Sequence, residues 1–328
     1  MNYRKFGRTG IEVSAIVFGG GWVGGILIHK DDETKRMAIR RALDAGINWV
    51  DTAPSYGEGK SEEALGWLLQ EVDEAPHLST KVLLDLKRLD DIAGQVESSL
   101  ARSFERLRRS SVDLVFLHNP IAPRSDDKRI GINRVLGAGG VIEAFERARE
   151  QGLVRFLGIT ALGEAPAVRE VIGSGRIDAA QVYYNMLNPS AGEDMPEAWT
   201  GHNLSGVIAA CKQADCGVMN IRAFAAGVIA TDQRTGREVV ITDQTRIAEE
   251  ERKAHALFEA LGLDYGTRAQ TAIRFSLANP DIDCVAVGMA EYRHLEEAIT
   301  AAEMGPLPDE ALAKVRALYA TDFGRVKR

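Results

Sequence analysis

Three stretches of the sequence decide the fold: WVDTAPSYG at 49–57, LSTKV at 78–82 and VDLVFLHNP at 112–120. Each contains the apolar or β-branched residues of a buried strand and has polar side chains at or near its end. These side chains are an acid, a phenol, an ammonium and an imidazole, from Asp51, Tyr56, Lys81 and His118. They form one site only if the strands are parallel neighbours whose carboxyl ends open on one face.

The rest of the chain repeats the same unit, because apolar β-branched runs alternate with helical patterns almost throughout. The N-terminal segment predicts a β-hairpin that turns at Arg8-Thr9-Gly10. The predicted strands that follow cover 15–18, 48–51, 79–82, 113–117, 154–159, 179–183, 217–221 and 284–287. The predicted helices cover 32–45, 61–69, 91–108, 140–150, 164–174, 204–213, 246–261, 267–278, 292–304 and 309–320.

Eight strands, each followed by a helix, indicate an α/β fold, a (β/α)8 TIM barrel with an N-terminal β-hairpin and extra C-terminal helices. No low-complexity linker interrupts the pattern, so we expect a single domain over residues 1–328. The longer stretches poor in helix all follow strands, on the barrel face where active sites are built. They cover 119–139, 187–202 and 223–245.

The composition argues against several classes of function. A net charge of -7 and a pI of about 5.5 make nucleic acid or an anionic membrane an unsuitable partner. Three cysteines without a C-x-x-C pair do not form a disulfide framework, and no metal-ligand cluster stands out. The N-terminus is too polar for a signal peptide, and no apolar run reaches about 18 residues, so we expect a cytoplasmic protein.

A glycine pattern follows the first predicted strand. Gly19-x-Gly21-x-x-Gly24 fits the dinucleotide-binding fingerprint, but that fingerprint needs its glycines to open a helix directly. Here GILIHKDDE intervenes before helical periodicity begins. We therefore interpret 19–25 as a strand-to-helix loop whose backbone closely approaches a ligand, with Gly21 and Trp22 at the cofactor and substrate pocket.

The four residues at the strand ends suit proton transfer to a carbonyl oxygen. A phenol is a weak acid at neutral pH, but an ammonium about 4 Å away, at an effective dielectric of about 20, favours phenolate by about 4 kcal/mol. Asp51 would keep Lys81 charged and in place, and His118 could donate a hydrogen bond to the carbonyl oxygen. Three of them also have a structural alternative. Asp51 could cap a turn, Tyr56 could be an ordinary loop aromatic, and His118 could be a core histidine.

At this point the sequence resembles the aldo-keto reductases. The resemblance rests on FGRTGIEVS, DTAPSYGEGKSEEALG, STK, DLVFLHNP, GIT and QVYYN, and it runs from the hairpin to the last crossover helix. It implies a barrel that uses NADPH, sometimes NADH, without a Rossmann domain. It also implies an oxidoreductase that interconverts aldehydes or ketones with alcohols, sugars and lactols included. In that reading Asp51, Tyr56, Lys81 and His118 match the catalytic tetrad of the family, with Tyr56 as the general acid in reduction.

The resemblance further implies cofactor contacts, at which the sequence departs from the family. Thr160 and Ala161 stand where a Ser-Asn pair usually holds the nicotinamide carboxamide, and Gln181 matches the remaining carboxamide contact. The aromatic that often stacks on nicotinamide is missing from NIRAFAAG, where Arg222 or Phe224 could replace it. Arg222 could equally reach the pyrophosphate or pair with a carboxylate.

The segment VGMAEYRHLEEAI occupies the region of the adenosine 2'-phosphate. Gly288 and Glu297 fit the family pattern there. Arg293 or His294 could bind the 2'-phosphate, since a guanidinium suits phosphate, although a solvated helix face explains these charges equally well. We expect NADP(H) in preference to NAD(H), with a small carbonyl compound or alcohol as substrate.

Two other functions remain open at this stage. One is a nucleotide-binding barrel that acts as a regulatory or interaction subunit. The other is a Schiff-base aldolase that uses Lys81, which is disfavoured because Asp51 would keep that lysine protonated. The substrate, the physiological direction and the oligomeric state are not determined by the sequence.

Overall fold

The structure is a computed structural model that describes residues 1–242 and 245–324. The strands of the described residues are, in chain order, β1 Tyr3–Lys5, β2 Glu12–Ser14, β3 Ile16–Gly19, β4 Trp49–Asp51, β5 His77–Val82, β6 Val112–Leu117, β7 Ile121–Ala122, β8 Ile130–Gly131, β9 Val154–Thr160, β10 Ala179–Tyr183, β11 Gly217–Ile221 and β12 Cys284–Gly288. Three short 3-10 turns lie between them.

The helices of the same residues surround the strands. They are α1 Ile26–His29, α2 Asp32–Asp44, α3 Lys60–Leu68, α4 Ile92–Leu107, α5 Ile132–Leu136, α6 Val141–Glu150, α7 Ala165–Gly173, α8 Val207–Gln213, α9 Ile247–Leu261, α10 Arg268–Ala278, α11 Tyr292–Met304 and α12 Asp309–Tyr319. Among the residues that the structure describes, no helix is both long and apolar enough to cross a membrane.

Eight of the strands close into a parallel barrel in the order β3-β4-β5-β6-β9-β10-β11-β12, with β12 pairing again with β3. This arrangement confirms the predicted (β/α)8 barrel. Strands β1 and β2 form the predicted antiparallel hairpin, and α12 is an additional helix after the last βα unit.

The barrel strands alternate their side chains between two hydrophobic layers, as the period of two in a strand requires. In β6, Leu114 and Phe116 belong to the inner cluster, while Val115 and Leu117 belong to the cluster that packs against the helices. The next residue, His118, therefore follows the inward series at the carboxyl end of the barrel.

The hairpin closes the opposite end of the barrel. Phe6, Ile11 and Val13 lie in the inner cluster, and the ring of Phe6 meets Trp49 edge to face at a centroid distance of 5.3 Å. Gly217 has no side chain because a Cβ there would lie 2.7 Å from the Phe6 ring. Since apolar side chains fill this end, polar chemistry is confined to the carboxyl end.

The structure differs from the sequence prediction mainly in short elements and helix starts. Helix α1 and strands β7 and β8 were not predicted, because segments of two to four residues carry no periodicity. Helix α8 begins at Val207 rather than at residue 204, since Gly206 takes the left-handed conformation (φ 74°) that precedes the first helical residue. Helix α2 begins at Asp32 as predicted, and Asp31 caps it by accepting from the Thr34 amide at 2.9 Å.

Candidate active site

The four residues singled out from the sequence converge at the carboxyl end of three neighbouring strands. Asp51 ends β4, Lys81 lies near the end of β5, and His118 follows β6 directly. Tyr56 comes from the turn that follows β4. The parallel pairing of β4 with β5 and of β5 with β6 brings them together, as the sequence predicted.

Asp51 is the electrostatic centre of this group and is 4% exposed. Its Oδ1 accepts hydrogen bonds from Ser79 Oγ at 2.7 Å and from Gln181 Nε2 at 2.8 Å. Its Oδ2 accepts from Lys81 Nζ at 2.6 Å. Both carboxylate oxygens thus accept hydrogen bonds, which fix the orientation of the side chain.

Lys81 is 1% exposed and is held between the acid and the phenol. Its ammonium donates to Asp51 Oδ2 and, at 2.8 Å, to the carbonyl oxygen of Thr52. The Nζ atom lies 4.8 Å from the centroid of the Tyr56 ring. Burial acts to lower the pKa of Lys81, but the charges of Asp51 and Tyr56 outweigh it and raise that pKa above its ordinary value. The residue is therefore a fixed cation.

His118 stands at the other side of the phenol. Its ring meets the Tyr56 ring edge to face at a centroid distance of 6.0 Å, with the planes at 85°. Burial, followed by the charges of Lys81 and Arg222, lowers the pKa of His118 to about 3. The imidazole is therefore neutral at any ordinary working pH, and its Nδ1 is buried without a hydrogen-bond partner.

A cavity of about 930 Å³ opens above this group, within the size range of cofactor sites. The residues predicted from the sequence that line it are Asp51, Tyr56, His118, Gly21, Trp22, Thr160, Gln181, Arg222, Gly288, Arg293 and Glu297. Lys81 lies beneath it, covered by its neighbours. Trp199 is not among the lining residues and packs near Lys253, whose Nζ lies 5.9 Å from the centroid of the Trp199 ring.

The glycine-rich loop after β3 packs mainly against the chain itself. A Cβ at Gly19 would lie 2.8 Å from Val287 O, and one at Gly24 would lie 2.4 Å from Met289 N. At Gly21, by contrast, the nearest atoms are those of Tyr56 at 4.0 Å, so its face is open to the cavity. All three glycines line the cavity; Gly19 and Gly24 have no room for a Cβ beside the end of β12, whereas Gly21 has room.

The cavity wall beside Asp51 fits a carboxamide. Thr160 Oγ1 is buried and has no hydrogen-bond partner, although it faces the cavity. Gln181 donates its Nε2 to Asp51, which leaves its carbonyl oxygen available as an acceptor. A hydroxyl and an amide oxygen match the donors and acceptor of a nicotinamide carboxamide. Ala161 is fully buried and is not among the residues that line the cavity.

The far end of the cavity carries charges of both signs. Lys30, Arg293, His294 and Glu297 line it. Arg293 donates from Nε to Glu291 at 2.7 Å and remains largely exposed. Burial, with the charge of Arg293, lowers the pKa of His294. The guanidinium of Arg293 is therefore accessible, although it is shared with a carboxylate.

The segment after β11 covers one side of the cavity. Arg222 donates from Nη1 to Val239 O at 2.7 Å and so ties the start of this segment to its far part. Ile221, the residue before it, lines the cavity as well. Neither Ile221 nor Val239 was expected from the sequence, because their place depends on how the long segment folds back.

Comparison with known proteins identifies the family. The sequence model of the Aldo/keto reductase family matches residues 15–320. The chain belongs to the aldo/keto reductase family. The L-galactose dehydrogenase of Arabidopsis thaliana is 26% identical over 324 residues, which cover 96% of this chain and 93% of that protein. The D-threo-aldose 1-dehydrogenase of a Pseudomonas species is 29% identical over 230 residues, covering 62% of this chain and 66% of that protein.

Solved structures agree on the fold of this aldo/keto reductase. An aldo-keto reductase of Bacillus halodurans in its holo form matches with a TM-score of 0.72 at 22% identity, over 97% of this chain and 96% of that chain. The family assignment makes the protein an oxidoreductase that acts on carbonyl compounds or alcohols, with a nicotinamide cofactor as the family uses.

Ser79 was also missed, although the sequence contained the pattern that locates it. Ser79 lies two residues before Lys81 and therefore points to the same interior, where its hydroxyl also accepts from Trp49 Nε1 at 3.0 Å. The period of two along β5 was enough to place it beside Asp51.

Proposed function

We propose that this aldo/keto reductase transfers hydride between a nicotinamide dinucleotide and the carbonyl or alcohol carbon of a small substrate, with Tyr56 as general acid in reduction and general base in oxidation. The bound dinucleotide supplies the hydride in reduction and accepts it in oxidation. The protein's own part is to bind the substrate oxygen, to move one proton at the Tyr56 oxygen and to exclude water.

The observation that carries this proposal is the fixed ammonium of Lys81 beside the Tyr56 ring. Asp51 and Thr52 O take two of the three ammonium donors, which leaves the third for the phenol. The Nζ atom lies 4.8 Å from the centroid of the Tyr56 ring, so the positive charge of the ammonium stabilises negative charge that develops on the phenol during proton transfer. Asp51 holds the ammonium in place, so no reorganisation is needed when the proton moves.

His118 serves as a neutral hydrogen-bond donor rather than as an acid. Because its pKa is lowered to about 3, the ring cannot supply a proton through an imidazolium at neutral pH. A neutral imidazole can still donate one N–H to the substrate oxygen and so orient it toward Tyr56. The face-to-edge arrangement of the two rings keeps both groups on the same side of the cavity.

The cavity supports the placement of the dinucleotide. The carboxamide would be held by Thr160 and Gln181, and the ring would lie against Gly21 and Trp22. The phosphates would lie toward the far end, near Lys30, with further cofactor contacts from Arg222, Gly288, Arg293 and Glu297. We favour NADP(H) over NAD(H) because the accessible guanidinium of Arg293 suits a 2'-phosphate.

The proposed substrates are aldehydes, ketones, sugars and lactols. The two relatives described above are named for the oxidation of an aldose, which favours sugars among these classes. The cavity is accessible from solvent near Trp22, which is 38% exposed, so a small polar substrate can enter beside the phenol.

The Tyr56→Phe variant tests the proposal. Turnover is followed at 340 nm over a panel of aldehydes, ketones and aldoses, and NADPH and NADH are titrated side by side by fluorescence. We expect the variant to lose at least about 100-fold in kcat, as removal of a general acid does, while its cofactor affinity stays within about threefold. The matched control is Tyr265→Phe, whose phenol contacts only Lys314 at the surface among the side-chain partners described.

The outcomes separate the possibilities. Activity above about 10% in Tyr56→Phe would show that another group donates the proton. Tight binding of a dinucleotide by the wild-type protein, with no turnover of any substrate in the panel, would favour a nucleotide-binding regulatory subunit.

A further inference from the structure

Ser61, in the first turn of α3, lies behind the reacting groups, and the proposed proton transfer does not use it. Its side chain is fully buried. Its Oγ lies 2.8 Å from Thr52 Oγ1, so one of the two hydroxyls donates to the other. Its backbone amide donates to the carbonyl oxygen of Tyr56 at 3.3 Å. A single residue of α3 therefore holds both ends of the segment that carries the phenol.

Thr52 connects Ser61 to the ammonium. The carbonyl oxygen of Thr52 accepts from Lys81 Nζ at 2.8 Å, and its amide donates to Ser79 O at 2.9 Å. The hydroxyl contact with Ser61 occupies the remaining polar group of this fully buried residue. Because a buried polar group without a partner is costly, these three contacts together fix the direction of the carbonyl that holds the ammonium.

The start of α3 is itself anchored to the strand that carries Lys81. Glu62, the residue after Ser61, is fully buried. Its Oε1 accepts from Thr80 Oγ1 at 2.6 Å, and its Oε2 accepts from Arg106 Nε at 2.8 Å. Thr80 belongs to β5 and Arg106 to α4. The first turn of α3 is therefore held at a constant distance from β5.

The surroundings of the Ser61 hydroxyl are closely packed. A Cβ at Gly20 would lie 2.5 Å from Ser61 Oγ and 3.1 Å from Asp51 O. The amide of Gly20 donates to the same Asp51 O at 2.8 Å. The backbone that follows β3, the end of β4 and the start of α3 thus meet around this hydroxyl. An interior packed in this way transmits small displacements to its neighbours, here to the segment that follows Asp51.

We propose that Ser61 is a positioning residue that sets the separation of the Tyr56 phenol and the Lys81 ammonium. Its hydroxyl holds Thr52, whose carbonyl oxygen holds the ammonium, and its amide holds the backbone of Tyr56. Ser61 is not among the residues that line the cavity, so it acts through these neighbours. The proposal rests on the proposed function, because it presumes that the phenol transfers a proton beside the ammonium.

The contact between ammonium and phenol determines how the reaction depends on pH. Lys81, His118 and Arg222 face the phenol from the ends of β5, β6 and β11, and Asp51 faces the ammonium. Lys81 is the cation held by the carbonyl that Ser61 fixes. Since a nearby cation favours the deprotonated phenol, a looser contact lets the phenol keep its proton to higher pH. Loss of the Ser61 hydroxyl should therefore move the alkaline limit of reduction upward.

The test compares the pH dependence of kcat for reduction in wild type, Ser61→Ala and Thr52→Val. Ser61→Ala removes the hydroxyl but keeps the amide contact with Tyr56. We expect each variant to lose about 3- to 30-fold in kcat and to move the alkaline limb up by about 0.5 to 1 pH unit, while KM for NADPH stays within about twofold. Thr52→Ser keeps the hydroxyl and should shift the limb less than Thr52→Val. The double variant Ser61→Ala/Thr52→Val should shift it no further than the larger single shift, because both changes remove the same hydrogen bond.

Ser103→Ala is the matched control. Ser103 is a fully buried serine of α4 whose Oγ has no hydrogen-bond partner, so this variant loses a buried hydroxyl without losing a contact. Its alkaline limb should coincide with that of wild type.

Carbon NMR of protein labelled at the ζ carbon of tyrosine reads the same property without turnover. The signal of Tyr56 is identified by its loss in Tyr56→Phe, and it should titrate at higher pH in Ser61→Ala than in wild type.

The proposal is overturned if Ser61→Ala lowers kcat but leaves both the alkaline limb and the Tyr56 titration unchanged, since a purely structural serine would behave in this way. Equal shifts in Ser61→Ala and Ser103→Ala would overturn it as well. A shifted Tyr56 titration in a protein that reduces no carbonyl compound would support the positioning role and count against the proposed reaction, so the two failures are distinguishable.

Discussion

Replacement of Asp51 by Asn tests the electrostatic centre of the site through the stability of the fold. The change is nearly isosteric and keeps an acceptor oxygen for Ser79, but it removes the charge that faces Lys81 at 2.6 Å. Lys81 is 1% exposed and cannot turn to solvent. The variant therefore isolates the cost of a buried ammonium that has lost its partner.

The expected cost follows from two independent estimates. At 2.6 Å and an effective dielectric of about 20, the lost attraction is about 6 kcal/mol. The loss cannot exceed the free energy of deprotonating a lysine at pH 7, which is about 5 kcal/mol for an ordinary pKa near 10.5. Asp51→Asn should therefore lower the free energy of unfolding by about 3–5 kcal/mol.

Urea unfolding followed by circular dichroism at pH 7 measures this cost, with Ser79→Ala as the matched control. Ser79→Ala removes one hydrogen bond to Asp51 Oδ1 but keeps the ion pair, so its cost should be only about 1–2 kcal/mol. In the double variant Asp51→Asn/Lys81→Met both charges are absent. Its loss of stability should be well below the sum of the losses of Asp51→Asn and Lys81→Met alone.

The reasoning fails if Asp51→Asn costs less than about 1 kcal/mol, or if the double variant costs as much as the two single variants together. The pH dependence gives a further check on the sign. Because the pKa of Lys81 is raised in the folded state, its contribution to stability is present below about pH 10.5 and is lost as the pH rises further.

Two other titrating groups, His118 and Glu250, should change the stability of the fold with pH in opposite directions. Because the pKa of His118 is lowered to about 3, NMR of its ring nitrogens should detect no titration between about pH 5 and 8. A titration midpoint of His118 in that range would contradict its role as a neutral donor. The unfolded chain binds this proton near pH 6.5, so stability should fall as the pH falls from 6.5 toward 3, less steeply in His118→Gln. Burial raises the pKa of Glu250 to about 7 from 4.5, so its ionisation destabilises the fold as the pH rises through that interval. By urea unfolding, Glu250→Gln should therefore be more stable than wild type by about 1–3 kcal/mol at pH 8 and show little gain at pH 4. Equal gains at both pH values would mean that the ionisation of Glu250 is not the cause.

Most of the barrel could be predicted from the sequence because its strands and helices are local patterns. The interior run of β6 and the polar residue that follows it can be read from Val112 to His118 without tertiary information. Short elements such as β7 and β8 could not, since two residues paired across a loop have no pattern of their own. The start of α8 was also missed, because it depends on the conformation of Gly206.

Within the site, the sequence identified the four central residues but not the contacts among them. Gln181 was expected at the carboxamide of a cofactor, and the structure adds that its Nε2 is hydrogen-bonded to Asp51. That contact joins β4 to β10, strands separated by 130 residues, and it exists only because the sheet closes on itself. No local pattern could have located it.

The sequence by itself determined the alternation of strands and helices and placed an acid, a phenol, an ammonium and an imidazole at strand ends, because periodicity and side-chain chemistry are properties of the chain. The tertiary structure decided which charges face each other. Burial and neighbouring charges make His118 neutral and Lys81 a fixed cation, and they leave Arg222 in the cavity with a backbone carbonyl as its acceptor. Those properties depend on distances across the barrel and on exclusion of water, which only the closed fold sets.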